Sequence, residues 1–105
     1  MQHLKEKLID EKKSGSFYND VITANVLQLT SILGESDDIV SGDNKISTQW
    51  MRKTSKGGVF WVYDYKYYRV LNNNETIRWN IGAENGSTSH LAKEEIENCL
   101  KQNLL

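Results

Sequence analysis

The chain of 105 residues has no proline, a single cysteine and no long hydrophobic run. The lone cysteine, Cys99, excludes an intramolecular disulfide and is typical of proteins that stay in a reducing compartment. Residues 1–13 carry frequent charges and lack the apolar stretch that a signal peptide or a membrane span requires. We therefore expect a cytoplasmic protein that makes no contact with a membrane.

An excess of one charge sign is also missing, because the formal net charge is −1 at pH 7. This balance argues against a globally basic nucleic-acid binder. The charges are nevertheless segregated along the chain, with an acidic stretch at 35–43, a basic stretch at 45–69 and an acidic stretch at 84–97. Such segregation predicts a folded molecule with faces of opposite sign.

Sequence patterns of catalytic or metal sites are missing as well. His3 and His90 belong to none of the spacings that place metal ligands on one face of an element. Gly57-Gly58 lacks the Lys-Ser/Thr pair of a phosphate-binding loop, and the stretch 35–43 lacks the alternating oxygen ligands of a calcium loop. We therefore predict a protein that is not an enzyme, with no catalytic residue, metal or cofactor.

Aromatic residues are the most informative feature that is present. Eight of the ten lie between Trp50 and Trp79. In the segment 59–65 they alternate with other residues at the period of a pleated strand, which predicts a β-sheet core. Since burial of one large aromatic side chain contributes up to about 5 kcal/mol at ~25 cal/mol per Å², we expect Trp50, Trp61 and Trp79 to lie inside the protein.

The remaining patterns predict a small α+β domain. Apolar residues at helical spacing predict a helix over 17–33 that ends at Gly34, and a second helix over 90–102 with the buried stripe Ala92, Ile96, Cys99 and Leu100. Between them we predict strands at 46–50, 59–66 and 76–81, joined as a three-stranded antiparallel meander. The predicted order is α-β-β-β-α, with a possible extra N-terminal helix. Residues 1–14 are expected to form a loose charged arm, and residues 15–105 a single domain.

Asp64 is unusual because it lies among aromatic residues in the second predicted strand. A carboxylate at such a position needs a partner, and a cross-strand pair with Arg78 or Asn80 is the favoured interpretation. A place in a binding surface and a role as a catalytic acid remain as alternatives.

The order of motifs along residues 22–100 carries a resemblance. A helix that ends in Leu-Gly-Glu is followed by a tryptophan strand, by Gly-Gly-Val-Phe-Trp-Val-Tyr-Asp-Tyr-Lys at 57–66 and by Trp-Asn-Ile-Gly at 79–82. This order resembles small uncharacterised accessory proteins of bacteriophages and mobile elements. The resemblance implies a non-enzymatic binder in the host-cell cytoplasm, such as an inhibitor of a host defence complex or nuclease.

Protein binding is accordingly the leading functional hypothesis. Tyrosine and arginine are enriched at protein–protein hot spots, and an acidic surface can imitate the phosphates of a nucleic acid. The predicted binding residues are Tyr65, Lys66, Tyr67, Tyr68, Arg69, Asp37 and Asp38.

Two alternatives stay open beside this hypothesis. The basic aromatic segment 52–69 suits single-stranded nucleic acid, with tyrosines stacking on bases and basic side chains meeting phosphates. A homodimer is also compatible with the sequence, since an open sheet has two edges at which a second copy can pair.

Overall fold

The computed structural model of the chain describes residues 2–6, 18–37, 48–64 and 74–102. These residues form an α+β fold with one antiparallel sheet and two α-helices, which confirms the predicted fold class. In chain order the elements are a 3₁₀ helix Gln2–Lys5, β1 Tyr18–Ala24, α1 Val26–Leu33, β2 Gln49–Lys53, β3 Val59–Tyr63, β4 Ile77–Ala83 and α2 Gly86–Gln102.

The sheet has four strands in the spatial order β1-β4-β3-β2, and every pair is antiparallel. The part β2-β3-β4 is the predicted meander, in which Trp50 lies opposite Val62 and Val62 opposite Ile81. The prediction of three strands is wrong, because β1 forms a fourth strand beside β4. The predicted helix order is wrong for the same reason, since a strand rather than a helix precedes the short helix α1.

The missed strand β1 occupies the first half of the helix predicted over residues 17–33. It contains three consecutive β-branched residues, Val21, Ile22 and Thr23, which favour extended backbone. Ile22 and Ala24 are buried whereas Thr23 is exposed, and this alternation is the period of a strand. The helical spacing read from the sequence therefore arose from a strand and a helix that happen to continue one another's apolar pattern.

Helix α1 begins and ends with clear capping residues. The side-chain oxygen of Asn25 accepts a hydrogen bond from the Gln28 backbone N–H at 2.8 Å, and the Gln28 side chain accepts one from the Asn25 N–H at 2.9 Å. This reciprocal capping box starts the helix after β1. At the other end Gly34 has a φ of 81° and its N–H donates to the Thr30 carbonyl, so the predicted C-cap is confirmed.

Helix α2 begins at Gly86 rather than at His90. The Asn85 side chain caps it by accepting a hydrogen bond from the Thr88 N–H at 2.8 Å. The predicted apolar stripe is confirmed, since Ala92 and Ile96 are fully buried while Cys99 and Leu100 are partly buried against the core.

The core lies between the two helices and one face of the sheet. Trp50 and Trp79 meet there edge to face, with ring centroids 5.5 Å apart and an interplanar angle of 71°. Their indole N–H groups donate to the carbonyls of Gly34 and Ala24 at 2.8 and 2.9 Å. Such pairs contribute about 0.5–1.5 kcal/mol beyond their buried area, and the hydrogen bonds remove the cost of burying the indole nitrogens.

The opposite face of the sheet also buries aromatic side chains. Phe60 and Val62 belong to the helix-covered core, and the strand period turns Trp61 and Tyr63 to the other face, where both are buried. Trp61 lies opposite Gly82 on β4, a residue without a side chain to compete for the space. The prediction that all three tryptophans are internal is therefore confirmed, although they are divided between two faces.

Asp64 is buried directly after β3 and is anchored to the chain that leads into β2. Its side chain accepts a hydrogen bond from the Thr48 N–H at 2.8 Å. Asn80 lies opposite Tyr63 and therefore projects, with Arg78, from the face that Tyr63 occupies rather than from that of Asp64. The predicted cross-strand pair is wrong because it assumed a register shifted by one residue.

The N-terminal 3₁₀ helix Gln2–Lys5 packs against β2 and α1. Leu4 is fully buried and belongs to the hydrophobic core. The predicted loose arm over residues 1–14 stays a prediction, because most of it lies outside the described residues. The boundary predicted at residue 14 lies outside the described residues and stays a prediction.

Candidate functional site

Most of the predicted binding residues lie outside the described part of the chain. These are Tyr65, Lys66, Tyr67, Tyr68, Arg69 and Asp38. The structure describes Asp37, the remaining member of the set, at the edge of the sheet. Three arrangements of polar or apolar side chains within the described residues bear on function, namely an arginine cluster, a glutamate cluster and a groove between the helices.

The arginine cluster is centred on Arg52 of β2, whose side chain is fully buried. Its Nη1 donates to both carboxylate oxygens of Asp37 at 2.9 Å and to the Met51 carbonyl at 2.7 Å. Its Nε and Nη2 donate to the carbonyls of Leu33 and Glu35, each at 2.9 Å. The guanidinium therefore satisfies carbonyls that the end of α1 leaves without intrahelical donors.

Asp37, in the same cluster, binds backbone groups of β2 that point away from the sheet. Its N–H donates to the Gln49 carbonyl at 2.8 Å, and its Oδ2 accepts from the Met51 N–H at 2.8 Å. Its charge is paired with Arg52, so neither residue is a free contact for a partner or a phosphate. Strand spacing places Arg52 on the same buried face as Trp50, but no local sequence signal pairs it with Asp37.

The glutamate cluster joins α2 to the turn between β2 and β3. The carboxylate of Glu95, which is 5% exposed, accepts hydrogen bonds from the Ser55 N–H at 3.1 and 3.2 Å and from the Ser55 hydroxyl at 2.6 Å. His3 Nε2 lies 2.8 Å from the Glu95 Oε1 and attaches the N-terminal turn to the same carboxylate. Burial raises the pKa of Glu95, but the hydrogen bonds from Ser55 and His3 outweigh it, and the net pKa lies below the ordinary value.

The order of groups in this cluster favours a structural clamp. In a nucleophilic triad the histidine lies between the serine and the carboxylate, so that it can take the serine proton. Here the carboxylate of Glu95 lies between Ser55 and His3 and accepts from the serine directly. A carboxylate with a lowered pKa is a weak base, so this arrangement holds three segments together without activating the hydroxyl.

Burial of Glu95 also changes the charge that α2 presents to solvent. The helix contains the acidic residues Glu94, Glu95 and Glu97 and the basic residues Lys93 and Lys101. With Glu95 buried, two acidic and two basic side chains remain exposed or half-buried, so their formal charges cancel. The outer side of α2 is therefore not the acidic surface that the sequence suggested for imitation of phosphates.

The groove lies between α1 and the last turn of α2 and has a volume of about 210 Å³. It is lined by Leu27, Gln28, Ser31 and Leu100. Leu27 is 52% exposed and is the one exposed large hydrophobic side chain among the described residues. The sequence signal for this exposure was that Leu27 lies outside the buried stripe of α1. The signal was missed because the first helix was predicted to begin at residue 17 rather than at Val26.

Comparison of the chain with protein-family models, curated proteins and solved structures found no match. Across the described ranges, no group of three or more His, Cys, Asp or Glu side chains is arranged to hold a metal ion. Within the same ranges, neither helix has the length and apolar character needed to cross a membrane.

Proposed function

We propose that the protein is a non-enzymatic protein-binding module that uses the groove between α1 and α2 as a contact surface. The observation that carries this proposal is the exposed Leu27 beside the partly buried Leu100. A single exposed leucine is ordinary, but one that borders a concavity with a second leucine offers apolar area that a partner can cover.

The chemistry of the groove suits an apolar anchor with a polar border. Leu27 and Leu100 supply the apolar part, while Gln28 and Ser31 supply groups that form hydrogen bonds. Interfaces commonly combine a desolvated apolar centre with a polar rim. We expect the partner to insert one apolar side chain between the two leucines and to hydrogen-bond at the α1 side.

The setting of this binding follows from the resemblance to phage and mobile-element accessory proteins. In that setting the partner is a host defence protein or nuclease, and the protein acts as its inhibitor in the host-cell cytoplasm. Recognition by charge imitation is less favoured than recognition by shape and apolar contact, because Asp37 is paired with Arg52 and the outer charges of α2 cancel.

The alternative of single-stranded nucleic-acid binding relies on stacking by Tyr65, Tyr67 and Tyr68, which lie outside the described residues. Arg52 is buried in its ion pair, and the ring faces of Trp61 and Tyr63 are covered. Stacking needs an exposed aromatic face. Fluorescence anisotropy with a labelled oligonucleotide at low salt tests this alternative, and salt-sensitive binding there would replace our proposal.

Photo-cross-linking of the whole chain tests the proposed groove. A photoreactive amino acid at position 27 is expected to capture a protein from host lysate that the same residue at the exposed position 98 does not capture. The captured protein, once purified, is expected to bind wild type and Asn98→Ser equally and Leu27→Ser at least tenfold more weakly. Equal binding of all three variants would contradict the proposed groove.

A second variant separates the groove from the binding residues predicted from the sequence. Replacement of Tyr67, Tyr68 and Arg69 by alanine removes the predicted anchors and leaves Leu27 intact. If binding is lost in this variant and kept in Leu27→Ser, protein binding is supported but the contact surface lies at residues 67–69.

A further inference from the structure

The strand β1 is at one end of the sheet and pairs only with β4 among the described strands. It is seven residues long, which makes it one of the two longest strands described. The backbone groups of an end strand that point away from the sheet are available for pairing with another strand. Along β1, the side chain of Thr23 is exposed and that of Val21 is half-buried.

At the other end of the sheet, backbone groups of β2 that point away from β3 are bound within the molecule. On β2 the Gln49 carbonyl and the Met51 N–H bind Asp37, and the Met51 carbonyl binds the side chain of Arg52. These groups cannot pair with a further strand while the arginine cluster is intact. The molecule thus closes one edge with its own residues, and the described residues place no such cap along β1.

The sequence of β1 carries few of the features that protect natural edge strands. It has no lysine, arginine, proline or glycine, and three of its seven residues are β-branched. Its one charged residue, Asp20, accepts a hydrogen bond from the buried Ser89 of α2 at 2.6 Å. The charge is thereby held toward the helix, and the rest of the strand is neutral.

From these features we infer that β1 is a homodimer interface, at which the β1 strands of two copies pair antiparallel about a two-fold axis at Val21. This register places Val21 opposite Val21 of the second copy and Asp20 opposite Ile22 of the second copy. No pair then opposes like charges, which would destabilise the ladder. The paired copies form one continuous eight-stranded sheet, four strands from each copy.

A second copy suits this edge better than a charged partner. The formal net charge of −1 produces little repulsion between two copies, and near-neutral proteins associate readily. The strand offers neutral β-branched residues, and an identical strand is complementary to it in length and in hydrogen-bonding period. The inference is independent of the proposed groove, because β1 does not contribute to the groove.

Sedimentation equilibrium of wild type, Val21→Lys and Met51→Lys tests the interface. Val21 and Met51 are both half-buried residues of end strands, but only Val21 is on the edge without a cap. We expect wild type and Met51→Lys to dimerise alike, and Val21→Lys to dimerise at least tenfold more weakly because two lysines face each other at the axis. A monomeric wild type at millimolar concentration, or equal weakening by both lysines, would overturn the inference.

Thiol cross-linking tests the register without a charged substitution. In a Cys99→Ser background, Val21→Cys places two thiols on the two-fold axis, whereas Thr23→Cys places them about 14 Å apart at ~3.4 Å per residue. A short bismaleimide is expected to link the copies of Val21→Cys and to leave those of Thr23→Cys mostly unlinked. Preferred linkage through position 23, or no linkage at either position at dimeric concentrations, excludes this interface.

Discussion

The two ends of the sheet are stabilised in different ways. At the β2 end, one buried arginine and one aspartate satisfy the outward groups of the strand and the carbonyls at the end of α1. At the β1 end, the strand is held by its ladder to β4, by packing of α2 and by the hydrogen bond between Ser89 and Asp20. The β2 end depends on a few charged contacts, and the β1 end on many apolar and backbone contacts.

This difference follows from what each end must bury. The chain turns back along β2 at the end of α1, and this turn brings backbone carbonyls into the interior that need donors. The β1 strand enters α1 through the short turn at Asn25, whose capping box already satisfies the helix start. The β2 end therefore requires a polar network, and the described residues form no such network along the outer edge of β1.

Replacement of Arg52 by methionine should have the largest effect on stability. The substitution leaves the carboxylate of Asp37 without its charge partner and removes the donors from three carbonyls. Loss of one member of a buried ion pair costs about 3–5 kcal/mol, and we expect the free energy of unfolding in urea to fall by that amount. The exposed Lys56→Met is the matched control and should change stability by less than about 0.5 kcal/mol.

A double-mutant cycle with Asp37→Asn sharpens this prediction. If the two residues act as one cluster, the combined cost of Arg52→Met and Asp37→Asn is smaller than the sum of the single costs. Strict additivity would show that the arginine stabilises the protein through the carbonyls alone, and the β2 edge would then lack the charged cap described above.

Replacement of Glu95 by glutamine should have an intermediate effect that depends on pH. The substitution weakens the charge-assisted bonds from Ser55 and should cost about 2 kcal/mol at pH 7. Because the pKa of Glu95 is lower in the folded than in the unfolded state, its contribution is present above the unfolded pKa and is lost as pH falls through the folded pKa. Wild type should therefore approach the stability of the variant as the solution is acidified.

Urea titrations of wild type and Glu95→Gln from pH 7 to pH 3 measure this effect. Ser55→Ala is a useful companion variant, because it removes one donor and keeps the carboxylate. A stability difference between wild type and Glu95→Gln that stays constant over this range would show that ionisation of Glu95 does not hold α2 to the turn between β2 and β3.

The strands of the meander were predictable from sequence because their signal is local. Large apolar side chains at every second position, Trp61 and Tyr63 in β3 and Ile77, Trp79 and Ile81 in β4, indicate the strand period. Lys56-Gly57-Gly58 marks the turn, where Gly57 has a φ of 86°. The cap at Gly34 and the stripe of α2 were predictable for the same reason. In each case neighbouring residues carry the whole signal.

The strand β1 and the polar clusters were not predictable because they depend on distant residues. Ile22 and Val26 have the spacing of a helix, and the pairing of β1 with β4 adds to the local preference of the β-branched residues 21–23 for extended backbone. The contacts of Arg52 with Asp37 and of Glu95 with Ser55 join residues that are far apart in sequence. Charge patterns alone therefore predicted Asp37 as a binding residue rather than as the partner of Arg52.

Replacement of Ser89 by alanine should have a smaller effect than the two changes above. It removes one hydrogen bond between α2 and β1, and Asp20 is half-buried so that water can replace the lost donor. We expect a loss of about 1 kcal/mol in the free energy of unfolding. A loss as large as that of Arg52→Met would break the comparison, because the β1 end would then also depend on a single polar contact.

Hydrogen exchange of individual amides provides the subtlest test of the two edges. The Met51 amide faces away from β3 but donates to Asp37, so we expect it to be protected in wild type. In Asp37→Ala we expect it to exchange on the order of tenfold faster, which corresponds to the loss of a hydrogen bond of about 1.4 kcal/mol.

On β1, alternate amides point away from β4, and they should exchange rapidly in dilute protein. Their protection should rise with protein concentration if the β1 strands of two copies pair, whereas that of Met51 should not change. Strong protection of every β1 amide in dilute protein would mean that this edge is closed within a single copy, and the two ends of the sheet would then differ in composition but not in availability.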